Sequence, residues 1–131
     1  MEKIYITQND YAKLKKLINE KTPQDEYDRI LLVELEKAKI VAAEKIPSDV
    51  ITINSQVEFI DLNSNNKLTY FIVFPAEADI KQNKISILSP IGCALLGYKI
   101  GDTIELTTPG GQKKLKVEKI LHQPEAEGNF A

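Results

Sequence analysis

Tryptophan is missing from the 131 residues, and cysteine, histidine and methionine occur once each. A single cysteine, Cys93, excludes an internal disulfide and a cysteine-rich zinc site, and it fits a reducing compartment. A single histidine, His122, leaves no imidazole cluster for a metal and no reserve partner for a Ser-His or Cys-His pair. No apolar run approaches the roughly 20 residues of a membrane span, and no basic start leads into an apolar leader stretch. The expectation is a cytoplasmic chain with no membrane partner. An excess of one charge is lacking too. Residues 1–47 carry 9 basic and 9 acidic side chains, residues 48–131 carry 8 and 10, and the net charge is −2. Holding nucleic acid by its phosphates requires a basic excess, so direct DNA or RNA binding is not expected and a protein partner is.

What is present is ordinary globular material, 43% hydrophobic and 27% charged, enough for one domain with an appendage. Ile4-Tyr5-Ile6 is a short extended start. Thr7 stands three residues before Asp10, as in a capping box, and Ile6 and Tyr11 have the staple spacing. Tyr11, Leu14, Leu17 and Ile18 then recur at helical spacing, until Thr22-Pro23 closes the helix. Asp25 and Glu26 suit the first turn of a second helix, along which Tyr27, Leu31, Leu35, Ala38 and Ala42 repeat until Pro47. The pattern predicts an antiparallel helical hairpin over residues 7–22 and 24–45.

Beyond residue 47 the apolar period changes from 3.6 to 2. Strands are predicted over residues 50–60 (with a break at Asn54-Ser55), 68–74, 85–88, 103–108 and 114–121, and Gln123 onward reads as a loosely held acidic tail. Between the third and fourth strands lies Ser-Pro-Ile-Gly-Cys-Ala-Leu-Leu-Gly, residues 89–97. Ser89 is a helix cap, Pro90 fits the first helical position, and Gly97 ends the helix. So short a helix is stable only when packed on a sheet. The fold class is therefore α+β: a helical hairpin over residues 1–46, then an antiparallel sheet with one short helix over residues 47–131.

Candidate chemistry is sparse. The glycines near residues 92–101 lack the lysine and Ser/Thr ending of a phosphate loop. Cys93, inside the short helix, fits a small buried hydrophobe, and His122, at a strand end, fits a surface polar residue. Glu20, Asp25 and Glu26 flank the turn at the hairpin tip, where oxygen ligands for a divalent cation are weighed against a solvated, helix-capping loop. The capping reading is the simpler of the two. No catalytic residue, metal site or cofactor is assigned.

Residues 89–97, Lys99-Ile-Gly-Asp102 and Thr108-Pro-Gly-Gly111, with Glu77-Ala-Asp79 and residues 81–86 upstream, resemble the C-terminal domain of the Gre transcript cleavage factors. The resemblance runs over residues of about 50 to 121 and implies an FKBP-like (FK506-binding-protein-like) domain. In that family a long coiled coil enters the secondary channel of bacterial RNA polymerase, and two tip acids bring Mg²⁺ to the active centre. Here the first helix, about 15 residues, would span roughly 22 Å. Asp25 and Glu26 lack the family's Asp-x-x-Glu spacing. A short hairpin, residues 46–55 and the ending Gln123-Pro-Glu-Ala126 are closer to the regulator of nucleoside diphosphate kinase (Rnk) type. The resemblance implies a monomeric, non-enzymatic transcription regulator that binds RNA polymerase and competes with cleavage factors. It also implies docking through residues 88–92: Leu88, Ser89, Pro90, Ile91 and Gly92. The position of Leu88 is an aspartate in the Gre factor whose contact is best mapped. Rival readings are a cleavage factor using the acidic tip, direct regulation of the kinase, and a prolyl isomerase. The few aromatics (Phe59, Tyr70, Phe71, Phe74 and Tyr98) argue against the last.

Overall fold

The computed structural model describes residues 4–21 and 23–129. Thr22, the expected end of the first helix, and the last two residues of the expected tail lie outside the described residues. Strand β1 (Tyr5–Thr7) runs into helix α1 (Gln8–Glu20), and α2 (Glu26–Lys37) follows. Thr7 caps α1, its hydroxyl oxygen accepting from the Asp10 N–H at 3.1 Å, as the Thr-x-x-Asp spacing predicts.

The second helix stops eight residues before its expected end at residue 45. Ala38 is extended, and β2 (Lys39–Val41) pairs in parallel with β1. Two causes act together. The backbone of residues 4–7 supplies hydrogen-bond partners, beginning with Lys39 N–H to Ile4 O at 2.8 Å, and Ile40-Val41 are β-branched and favour extension.

The main sheet contains β3 (Gln56–Asp61), β4 (Asn66–Val73), β5 (Lys84–Ser86), β6 (Thr103–Thr108) and β7 (Gly111–His122), in spatial order β5-β4-β3-β7-β6. Central β3 is antiparallel to β4 and β7, with Phe59 opposite Leu68 and Val117, and β6 and β7 form the expected hairpin. The edge pair departs from an all-antiparallel sheet. Two short 3₁₀ turns, Pro75–Glu77 and Ile80–Gln82, carry the chain back so that β5 lies parallel to β4. A parallel pairing needs such a crossover rather than a hairpin turn.

Helix α3 (Pro90–Leu95) packs beside β6. Gly97, at φ +84°, then turns the chain. Its N–H donates to Ile51 O at 2.9 Å, and its carbonyl accepts from Tyr5 N–H at 3.3 Å. A Cβ there would lie 2.6 Å from the Ile4 Cβ, so glycine is required by both φ and space. Leu14, Ile18, Leu31 and Leu35 of the hairpin bury in the same cluster as Ile51, Phe59, Ile87 and Val117. The hairpin is thus seated on the sheet by apolar burial.

The tail differs from expectation as far as residue 129. Gln123 is buried and donates to Pro47 O at 2.8 Å and Val50 O at 2.7 Å. Pro124–Glu127 forms a 3₁₀ turn, and the Thr52 hydroxyl donates to Glu125 at 2.7 Å. This turn brings a carboxylate toward buried Asp10, whose Oδ2 accepts from Ile53 N–H at 3.4 Å. Burial first, and then the Glu125 charge, push the Asp10 carboxyl up from 3.8 to about 6. A raised carboxyl binds its proton more tightly in the folded state, so its contribution is favourable in acid and is lost as pH rises from about 4 to about 6. Asp10→Asn removes that loss. It is expected to stabilise the fold by about 2 kcal/mol at pH 7.5 and by about a third of that at pH 4.5, as measured by urea unfolding at the two pH values.

Candidate functional site

The segment between β5 and α3 is built by two serines. Leu88 is off the sheet, not in the third strand as expected: its N–H donates to the Ser86 hydroxyl oxygen at 3.0 Å. The Ser86 carbonyl accepts from Ser89 N–H at 3.0 Å and from the Ser89 hydroxyl at 2.7 Å. The same Ser89 oxygen caps α3 by accepting from Gly92 N–H at 3.1 Å, and Pro90 fills the first helical position, where a missing N–H costs nothing. Backbone and side chains together leave this turn little freedom. Ile87 anchors it in the core, while Leu88, Ser89, Pro90 and Ile91 are half-buried and Gly92 is buried. The five residues thus form a crest whose accessible side chains belong to the first four.

Hollows flank the crest. Leu88 and Ser89 border one of about 570 Å³, shared with Pro75 and with Leu17, Glu20 and Lys21 at the end of α1. Ser89, Pro90 and Ile91 border another of about 310 Å³ beneath Leu68, Tyr70 and Ile85. Tyr70 is the one aromatic lining the smaller hollow.

The three expected tip acids occupy different settings. Glu20, exposed, ends α1 beside the Leu88 hollow, and Glu26, exposed, faces a groove that also contains Pro90. Asp25 caps α2 in a reciprocal box: its Oδ1 accepts from Asp28 N–H, and Asp28 Oδ2 accepts from Asp25 N–H, each at 2.9 Å. The Asp28 N–H holds the Asp25 carboxyl below its ordinary value, with the Lys21 ammonium adding to the effect. Lys21 Nζ lies 2.8 Å from Asp28 Oδ2 and 3.5 Å from Asp25 Oδ2. Sequence reasoning did not single out Lys21, and it read Asp25 and Asp28 only as having the Asp-x-x-Glu spacing without its residue types, although Lys21 and Asp25 have i,i+4 spacing and Asp25 and Asp28 have box spacing.

The described residues of the tip do not fit a divalent cation. Among the described residues, no three His, Cys, Asp or Glu side chains converge as a metal site, and the Asp25 oxygens are engaged by an N–H and an ammonium. Cys93 is half-buried, its thiol pushed up to about 11 by burial and by the Asp25 and Asp28 carboxylates. That is the reverse of an activated thiol. His122 Nδ1 lies 3.1 Å from Glu127, and the ring packs edge-on against Phe71.

Comparison with known proteins bears on the same segment. The family model described as "Transcription elongation factor, GreA/GreB, C-term" matches residues 46–122. The regulator of nucleoside diphosphate kinase of Escherichia coli K12 is 37% identical over 101 residues, covering 76% of this chain and 74% of that protein. Transcription elongation factor GreA of Acetivibrio thermocellus is 44% identical over 86 residues; the match covers 66% of this chain and 54%, about half, of that longer relative. Among solved structures, a prokaryotic transcription elongation factor GreA/GreB from Nitrosomonas europaea matches with a TM-score of 0.79 and 34% identity, covering 93% of this chain and 100% of that one.

Proposed function

We propose a function from one premise: this chain belongs to the GreA/GreB family of transcription elongation factors. On this reading it is a non-enzymatic regulator that docks on bacterial RNA polymerase at the rim of the secondary channel. Contact is through the crest of Leu88, Ser89, Pro90 and Ile91, with Gly92 shaping it from beneath. It competes there with cleavage factors and does not itself stimulate cleavage. The observation that carries the reading is the doubly bonded Ser86–Ser89 turn, which holds the crest in place before any partner arrives. A preformed contact avoids the ordering cost of a loose loop. With Leu88 in place of the aspartate, the contact is apolar. Two features support the absence of cleavage stimulation. Helix α1, with 13 residues, is about 20 Å long and is buried along one side on the sheet domain. The Asp25 carboxylate is occupied in capping α2 and pairing with Lys21.

Core polymerase pull-down tests the reading. The protein is expected to bind and to displace a GreA-type factor, while Pro90→Ala binds about tenfold more weakly, the scale of one well-packed contact, with its melting curve showing that it folds. Absence of binding by the unmodified protein overturns the docking. Cleavage of a stalled transcript that disappears in Asp25→Ala overturns the non-cleaving part.

A further inference from the structure

Helix α2 has two working faces. Asp28, Leu31 and Leu35 are buried. Glu26, Tyr27, Ile30 and Glu34, at steps of one, three and four, look instead into a groove of about 550 Å³ between α2, α3 and β6. The size lies within the range of about 300–1,000 Å³ usual for binding sites. The apolar surface includes Ile30, which is 52% exposed, with Ala94 and Leu106 opposite. The Tyr27 hydroxyl spans the groove to donate to Thr107 O at 3.3 Å.

Its charge has one sign. Glu26, Glu34 and Glu105 line the groove, and no lining residue is basic. Lys114 reaches Glu105 from outside the lining, at 3.6 Å; Glu26 and Glu34 have no ion pair among the described residues. Groups in the groove register the field. After burial, neighbouring carboxylates are the next cause raising Cys93, Tyr27 and Tyr98, through Asp25, Glu26 and Glu34 among others. Leu88 and Ile91 do not line this groove, so it is a surface separate from most of the crest.

We infer that the α2/α3/β6 groove is a second docking surface, for a basic amphipathic helix of a partner protein. Apolar side chains of that helix rest on Ile30, Ala94 and Leu106, and its Lys or Arg side chains meet Glu26, Glu34 and Glu105. The mode is helix-in-groove recognition, with apolar anchors supplying affinity and charge supplying orientation. Glu26 and Glu34 lie eight positions apart along α2, about 12 Å or two turns, so a short segment suffices.

The test uses full-length protein and three helical peptides of about four turns: one with leucines on one face and arginines flanking them, one with glutamate replacing arginine, and one with serine replacing leucine. Anisotropy titration is expected to show binding of the first alone. The triple variant E26Q/E34Q/E105Q is expected to weaken that binding about tenfold, the combined scale of three exposed charge pairs. The charge-matched control E36Q/E44Q/E77Q leaves it unchanged, and amide shift changes fall on α2, α3 and β6. Equal weakening by the control means diffuse attraction and overturns the proposal, as does equal binding of the serine peptide. Sedimentation that shows a dimer abolished by Ile30→Glu overturns it in favour of a second copy. Polymerase enters none of these arms, so the groove stands or falls independently of the docking crest.

Discussion

Gly92→Ala is expected to cost about 3 kcal/mol or more, at the upper end of overpacking penalties, and to lower the melting temperature by about 10 °C. The cause is contact, not backbone conformation, since Gly92 is an ordinary helical residue absent from the positive-φ set. An added Cβ would stand 2.1 Å from the Ser86 carbonyl oxygen, and neither side yields easily. That carbonyl holds the Ser89 N–H and hydroxyl, Ser86 pairs with Val73 in the sheet, and the adjoining Ile87 N–H donates to Val73 O at 2.7 Å. Moving α3 outward releases the Gly92 N–H from Ser89 and exposes the buried Leu95. Gly101→Ala is the control. That glycine has φ +94° with no atom within 4 Å of its Cβ, so only conformational strain of about 1–2 kcal/mol applies. Calorimetry of the two variants checks the order. If Gly101→Ala is the costlier, close approach at Ser86 is not what fixes the crest. Hydrogen exchange adds a local readout: in Gly92→Ala the amides of Leu88 and Gly92 exchange faster than those of β3.

The crest shows what a sequence carries openly. Ser89, Pro90 and Gly97 announce a capped short helix because each acts on its own backbone within a few residues. Asp25 capping α2 and the alternation along β3 are equally local. The glycine at 92 carries no such sign, because its reason is a carbonyl on the preceding strand that only the folded turn brings overhead. The same holds for the second helix. Residues 38–45 keep an apolar spacing compatible with helix, and they leave it because β1 lies ready to pair with residues 39–41, a tertiary preference overriding a local one. The parallel β4–β5 pairing depends on two 3₁₀ turns in a polar connection whose composition says only loop. The acidic ending reads as solvent-facing, yet Gln123 finds two carbonyls across the domain. The proposed docking residues were identifiable only by resemblance, since nothing in the spacing of Leu88 and Pro90 distinguishes a contact from a strand end and a helix start. The groove on α2 was half legible: Glu26, Ile30 and Glu34 share a helical stripe, but Ala94 and Leu106 of their apolar floor come sixty or more positions later.

Lys21→Met is expected to destabilise the protein by about 2–3 kcal/mol. Asp28 is the reason. Its side chain is fully buried, one carboxylate oxygen has no hydrogen-bond partner among the described residues, and the other receives the Asp25 N–H and the Lys21 ammonium at 2.8 Å. Removing one partner of a buried pair leaves an uncompensated charge, a loss of about 3–5 kcal/mol in closed sites. Lys21 is 36% exposed, so water reaches part of the vacated space, and the lower figure follows from that screening. Methionine retains the apolar reach of the lysine stem, which separates the charge from its packing. The double variant Lys21→Met/Asp28→Asn isolates the pair. With no buried charge left to strand, Lys21→Met in the Asp28→Asn background is expected to cost under about 1 kcal/mol, a coupling of about 2 kcal/mol between touching residues. Equal losses in both backgrounds would mean that Lys21 acts through packing alone. The pH response has a defined sign. The Asp28 hydrogen bond is the main cause raising the Lys21 ammonium above 10.5, so its contribution is complete below that value and is lost only as pH climbs beyond it. Across pH 6–9 the difference between wild type and Lys21→Met is therefore flat. Lys21 also borders the Leu88 hollow, so the hairpin tip and the crest face the same space. The variant is expected to loosen the tip, visible as faster amide exchange at Asp25 and Asp28, and, on the docking proposed above, to weaken polymerase pull-down more than its stability loss alone would give.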